Sequence, residues 1–163
     1  MSYTLCSLLV GRFRCVCESG IAGAGFGDWI VKKAIENPAT DFISVELRAD
    51  RVGQTFARTA ALVGCTPVDN LCIVGAESES FLSDHVPHES VSTIYVNHPE
   101  PPTQTFGAEA ANLEAIMNGD SEPAHMLGSR AIVAAGNCLS RSRKSRLVIV
   151  TDNRWYGRLI CAT

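Results

Sequence analysis

Phe13-Arg-Cys-Val-Cys-Glu18-Ser-Gly20-Ile-Ala-Gly23-Ala-Gly25-Phe-Gly27-Asp28 is a strand-forming run that passes directly into a loop carrying four glycines. Asp28 then stands where a side chain can cap a following helix, Trp29 to Glu36, which Pro38 closes. A strand, a glycine-rich turn and a helix in that order form the opening unit of a parallel α/β sheet. In such a unit the glycines let the backbone adopt positive φ and lay its N–H groups against a ligand at the helix start. Taken alone the loop is equally well explained as a tight fit of helix onto strand.

The same alternation continues outward. Phe42 to Leu47 reads as a second strand, and about Asp50 to Val63 as a helix with an apolar stripe of Val52, Phe56, Ala60 and Val63, stopped by Gly64. Leu71 to Val74 reads as a third strand. A loop then leads to a fourth strand, Val91 to Val96, ending at Asn97. Three prolines in Asn97-His98-Pro99-Glu100-Pro101-Pro102 forbid a regular element there. Ala108 to Met117 predicts a short helix, Asn118-Gly119-Asp120 a turn, and Ser121 with Pro123 the opening of a helix reaching about Leu139. Leu147 to Thr151 predicts a fifth strand, followed by an amphipathic segment from about Trp155. The pattern specifies an α/β protein with a mostly parallel sheet and helices on both faces, read as one domain over residues 1–163.

Composition narrows the function classes. The 163 residues carry a formal net charge of -3, which does not suggest a general nucleic-acid binder. No apolar run is long enough to span a bilayer, so no membrane partner is expected. Tyr3 to Val10 is moderately apolar but has its arginines, Arg12 and Arg14, behind it, which makes a poor signal peptide. Seven cysteines without a secretory signal read as reduced thiols in an intracellular protein, cytoplasmic or nuclear. Cys15 and Cys17 do not have a zinc-finger spacing, and His85 and His88 read as solvent-facing, so no metal is assigned. Arg141, Arg143, Lys144 and Arg146 form the one basic cluster, in front of the fifth strand and so at the edge opposite a strand-end ligand. It reads as a solvated turn or as a contact for phosphates.

In open α/β sheets ligands bind at the carboxyl ends of the strands. Glu46 closes the second strand about 20 residues after the glycine loop, the spacing at which a carboxylate accepts both hydroxyls of a ribose. Glu77, after the third strand, suits an adenine amino group, or belongs to a solvated acidic face with Glu79. The stiff loop Asn97 to Pro101 and the trio Thr151-Asp152-Asn153 follow the fourth and fifth strands. Thr151 and Asp152 read either as substrate contacts or as caps of the next helix.

These residues resemble the tRNA guanine-N(7)-methyltransferases. Phe42-Ile-Ser-Val-Glu46-Leu-Arg48 is similar to that family's second strand, Ile94 to Pro101 to its asparagine-phenylalanine-proline-aspartate-proline loop, and Thr151-Asp152-Asn153 to its threonine-aspartate-asparagine. The resemblance implies a Rossmann-like fold that binds S-adenosylmethionine and methylates tRNA, here without the family's C-terminal strand pair. It places Gly23, Gly25 and Gly27 along the cofactor, Glu46 on its ribose, Glu77 on the adenine edge, and Asn97 beside it. Glu100, in place of the family's aspartate, is a candidate catalytic residue with Asp152 and Asn97, while Thr151 and Asp152 face the guanine. Ile21 stands where the family has an acidic residue, and Pro102-Thr-Gln-Thr replaces its basic run. The resemblance therefore implies weak tRNA binding by this chain alone and a non-catalytic partner subunit of the kind the eukaryotic enzymes carry. Two alternatives stand beside it, a silent partner-binding module and a Rossmann-like enzyme using NAD.

Overall fold

The computed structural model describes residues 13–18, 27–63, 68–99 and 127–162. They form five strands, β1 (Phe13–Glu18), β2 (Asp41–Glu46), β3 (Leu71–Gly75), β4 (Val91–Asn97) and β5 (Arg146–Val150). Five helices accompany them: α1 (Asp28–Glu36), α2 (Ala49–Val63), α3 (Ser78–His85), α4 (Ser129–Cys138) and α5 (Arg154–Ala162). The strands make one sheet in the order β3-β2-β1-β4-β5, with every pairing parallel. A parallel sheet needs a crossover between neighbours, and the helices supply it. The expected α/β architecture with helices on both faces is the one observed.

Alternation along the strands divides the core. Phe42 and Tyr95 pack with Ile30, Val31 and Ala34 of α1, and Trp29 meets Tyr95 edge-on at 5.0 Å between ring centroids. On the opposite face Val45, Ile94 and Val96 pack with Phe81 and Leu82 of α3 and with Ala134, Ala135 and Cys138 of α4. Trp155, Tyr156 and Leu159 make a third cluster on α5, and Ile160 touches both it and the α3–α4 side. Asn70, just before β3, holds the α1 end in place. Its Nδ2 donates to the carbonyls of Ala34, Asn37 and Thr40 at 3.0, 3.1 and 2.8 Å.

Several local expectations are corrected. The stripe Val52, Phe56, Ala60 is not the buried face of α2. Phe56 is 69% exposed and Ala60 is exposed, whereas Arg51 and Thr55 are buried at 7% and 2%. The helix turns its polar side inward because Arg51 answers the buried Glu46 of β2, with Nη1 to Oε2 at 3.8 Å. Asp28 does not cap α1. Gly27 is the cap residue with no side-chain bond, and Asp28 instead grips Arg58 of α2, Oδ1 to Nε at 2.8 Å.

The segment read as a loop between β3 and β4 contains α3. Its cap is Glu77, whose Oε1 accepts from the Glu79 N–H at 3.0 Å and whose Oε2 accepts from the Ser80 N–H at 2.7 Å. Glutamate is not among the usual cap residues, and Phe81, Leu82 and Val86 are too few apolar positions to show a helical period. The helix expected from Ser121 through Leu139 does not run through Gly128, which is extended; α4 runs from Ser129, and residues 121–126 lie outside the described ones. Ala108 to Met117, the turn at Asn118 and the stop at Gly64 lie outside the described residues.

Gly27 has φ 80, and a Cβ there would meet Thr55 Cγ2 at 2.5 Å and Cβ at 2.8 Å. Gly27→Ala is expected to lose about 1–2 kcal/mol for the left-handed backbone and about 1–3 kcal/mol more for the overlap. Urea unfolding with an unchanged midpoint would contradict this. Burial pushes the Glu77 carboxyl up, but the Ser80 and Glu79 N–H groups, the Ser80 hydroxyl and Arg130 together hold it below its ordinary value. The cap is therefore fully present above the ordinary carboxylate range and is lost as pH falls through the lowered folded value. Glu77→Ala should cost about 1 kcal/mol at neutral pH, with the gap to wild type narrowing below about pH 4. A gap independent of pH would count against the cap.

Candidate active site at the carboxyl ends of the strands

The order of strands reverses between β1 and β4, since β2 and β3 lie to one side of β1 and β4 and β5 to the other. That gap is the switch point where ligands enter such sheets. Register sets what meets there. Glu18 lies opposite Asn97, Asn97 opposite Val150, and Glu46 opposite Gly75, so the three polar strand ends share one edge. Gly27, at the start of α1, follows β1 on that same edge. Gly23 and Gly25 lie outside the described residues, as does Glu100.

Glu46 is 5% exposed. Its Oε1 accepts the Arg48 N–H at 2.9 Å, closing a tight turn out of β2. Its Oε2 is buried and, among the described residues, accepts no hydrogen bond; the Arg51 guanidinium lies 3.8 Å from it. A buried carboxylate oxygen without a donor is costly, because its desolvation is not offset. An orphaned acceptor of this kind suits a hydroxyl donor, and so fits the ribose of an adenosine-type cofactor. Sequence reasoning misses Arg51, which is signalled only by its place five residues beyond Glu46.

At the ends of β4 and β5 the chain makes a second group. His98 takes the left-handed conformation at φ 48, and its N–H donates to the Val150 carbonyl at 2.7 Å. This places its Nδ1 3.7 Å from Asp152 Oδ1, while Pro99 is buried beneath the turn. His98 carries no signal of its own in the sequence, where its proline neighbours dominate the reading. A non-glycine residue at positive φ is uncommon and marks sites held in shape by their surroundings. Asp152 is largely exposed, its side chain at 89%. The helix cap is Asn153, whose Oδ1 accepts from the Tyr156 N–H at 3.0 Å, and Thr151 Oγ1 accepts the Asn153 N–H at 3.1 Å. Asp152 therefore does not cap α5.

Glu77 follows β3 on the same edge, but its two oxygens already hold the first turn of α3. The structure thus gathers Glu46, Asn97, Thr151 and Asp152 at one edge, and places Glu77 in a capping role beside them. Among the described residues no group of three or more His, Cys, Asp or Glu side chains is arranged to hold a metal, and no helix is long and apolar enough to cross a membrane. Cys138 is buried with Sγ 3.3 Å from the Leu82 carbonyl, and Cys72 and Cys161 are exposed and in no disulfide among the described residues.

Comparison with known proteins finds methyltransferases. The tRNA (guanine-N(7)-)-methyltransferase of Chlamydia trachomatis serovar D is 37% identical over 78 residues, 48% of this chain and 33% of that protein. The enzyme of the same description from Geobacter metallireducens is 28% identical over 79 residues, covering 48% of this chain and 36% of that protein. The match spans about a third of the length of these curated relatives. Among solved structures, a 30S ribosomal A1408 methyltransferase from an uncultured bacterium aligns with a TM-score of 0.53 at 15% identity, over 90% of this chain and 58% of that one. A SAM dependent methyltransferase from Aquifex aeolicus aligns at 0.52 and 11% identity, over 86% and 57%. The fold is the Rossmann-like fold of such methyltransferases. A family model described as "Putative methyltransferase" matches residues 17–105, more than half of the chain and the part that holds Glu46, Glu77 and Asn97. The chain belongs to this methyltransferase family.

Proposed function

We propose that the chain binds S-adenosylmethionine and directs methyl transfer to N7 of a guanine in tRNA. The buried, donor-less Oε2 of Glu46 beside the switch point carries the cofactor assignment. The tRNA assignment rests on the names of the relatives and on the resemblance of three motifs, in order, to those of that family. Bound S-adenosylmethionine supplies an electrophilic methyl group on a sulfonium.

The chain's own residues divide the remaining work. Gly23, Gly25 and Gly27 line the cofactor with backbone N–H groups, Glu46 accepts its ribose hydroxyls, and Glu77 and Asn97 stand at the adenine side. Guanine N7 already carries a lone pair, so no strong general base is needed. The protein must mainly hold the nucleophile in line. Glu100 and Asp152 do this by accepting from the guanine N1–H and exocyclic amine, with Thr151 beside them. His98 fixes the β4 turn against β5 and keeps Asp152 at that edge.

Pro102-Thr-Gln-Thr gives the chain no basic run beside this site. Phosphate neutralisation supplies much of the affinity for a polyanion. The chain alone is therefore assigned weak tRNA binding inside the cell, with turnover aided by a non-catalytic partner subunit. The same feature favours a second reading, a cofactor-binding module without turnover.

The test is calorimetric titration with S-adenosylhomocysteine, with NAD as the competing ligand. Loss of the charged acceptor in Glu46→Gln should weaken S-adenosylhomocysteine binding by one to two decades, since a hydrogen bond to a charged group is worth about 1.5–3 kcal/mol. Because that change also leaves Arg51 without its partner, the double variant Glu46→Gln, Arg51→Met keeps the site neutral and should show the same loss. Equal affinity in wild type and variants, or tighter binding of NAD, would refute the cofactor assignment. Methyl transfer to unmodified tRNA separates the enzyme from the silent module.

A further inference from the structure

The opposite edge of the sheet holds a feature that methyl transfer does not use. A cleft of about 950 Å³ opens at the amino ends of the strands, between the turn before β2, the start of β4 and the segment from Ser140 to Arg146. Arg143, Lys144 and Arg146 line it, and all three are exposed. Among the described residues none of the three has a carboxylate within 4.0 Å. Among the described residues the only acidic one in the lining is Glu89, and Arg141 takes it with Nε to Oε1 at 2.5 Å.

The rest of the wall is rich in hydroxyls. The Ser142 carbonyl accepts the Ser145 N–H at 2.9 Å, which makes a tight turn with Arg143 and Lys144 at its tip. Ser142 Oγ accepts from the Lys144 N–H at 3.3 Å, so its own proton is left to donate outward. Ser140 and Ser145 share a single hydrogen bond at 2.6 Å, and one of them keeps a donor. Three cations and several hydroxyl donors, with the one carboxylate already neutralised, form a wall of donors for phosphate oxygens.

We propose that this cleft binds the phosphate backbone of the RNA, an inference that rests on the reading of the chain as an RNA-modifying enzyme. It assigns to Arg143, Lys144 and Arg146 the phosphate contacts that the loop after Glu100 does not provide. The cleft lies one strand length from the carboxyl edge, about 17 Å at 3.3 Å per residue. A folded RNA spans that distance, so a base at one edge and a neighbouring backbone segment at the other are compatible with a single bound molecule. Net charge does not disclose such a site, because the acidic remainder of the chain masks four cations gathered in six residues.

The experiment measures anisotropy of a labelled unmodified tRNA titrated with the full chain at 50 and 200 mM salt. The variant Arg143→Gln, Lys144→Gln, Arg146→Gln is compared with Lys32→Gln, Lys33→Gln, Arg58→Gln, which removes the same charge from α1 and α2. The cleft variant should bind ten- to a hundredfold more weakly at 50 mM salt. Its plot of log affinity against log salt should be shallower by about 2, at roughly 0.7 for each phosphate no longer neutralised. The other variant should change less than threefold. Equal losses in the two variants, or no loss in the first, would overturn the proposal. So would displacement of the tRNA by millimolar inorganic phosphate accompanied by a phosphate-dependent rise in Tm that the cleft variant lacks, which would make this a free-phosphate site. S-adenosylhomocysteine affinity should be unchanged in the cleft variant. If it falls, single substitutions, Lys144→Gln first, are read for a slope change of about 0.7 each, and no change in any of them overturns the proposal. Methyl transfer is scored separately, so absence of activity with intact, slope-sensitive binding counts against the enzymatic reading and leaves this one standing.

Discussion

A carboxylate buried at the end of β2 has to be answered by something, and the arrangement around it follows from that need. At 3.8 Å and an effective dielectric near 20, the attraction between Glu46 and Arg51 is about 4 kcal/mol. Desolvation costs several kcal/mol per ion, so the pair adds little net stability. What it does is decide orientation. Arg51 must face the sheet, and α2 must therefore present Arg51 and Thr55 inward and leave Phe56 in solvent. Thr55 then lies against Gly27, and that contact sets how closely the start of α1 approaches α2. An ion pair with one oxygen left unbonded is a poor device for stability and a good one for receiving a ligand.

The same pair explains which parts of the fold are legible in the sequence. The strands are, because their β-branched and apolar runs sit between turn residues, and parallel strands buried on two faces read as continuous apolar stretches. The rotation of α2 is not, because periodicity counts apolar residues and has no way to weigh one buried charge against Phe56. The helix α3 escapes the pattern because its cap is a glutamate and its apolar face is only Phe81 and Leu82 wide. The break before α4 is not legible, since the extended Gly128 announces itself only as a glycine. At the site, Glu46 and Asn97 are legible because they end strands, and register alone brings them to one edge. Arg51 and His98 are not, since one is an ordinary helix cation by pattern and the other owes its place to a backbone conformation.

The two edges of the sheet also differ in charge. At the carboxyl edge Glu46 is balanced by Arg51, while Asp152 is largely exposed and Glu77 caps α3. The amino edge gathers Arg143, Lys144 and Arg146. A net charge of -3 conceals how the cations are distributed between the two edges.

Asn70 carries a different kind of consequence. One amide nitrogen serves three carbonyls, so the end of α1 and the turn into β2 are held through a single atom. Hydrolytic ageing of asparagine replaces that nitrogen with oxygen, and an ionised aspartate has only acceptors to offer. The site would then turn a carboxylate toward three carbonyl oxygens, converting its best-satisfied junction into mutual repulsion with almost no change in side-chain size. Chemical ageing at this one position would loosen the end of α1, and through that helix the glycine turn at its other end.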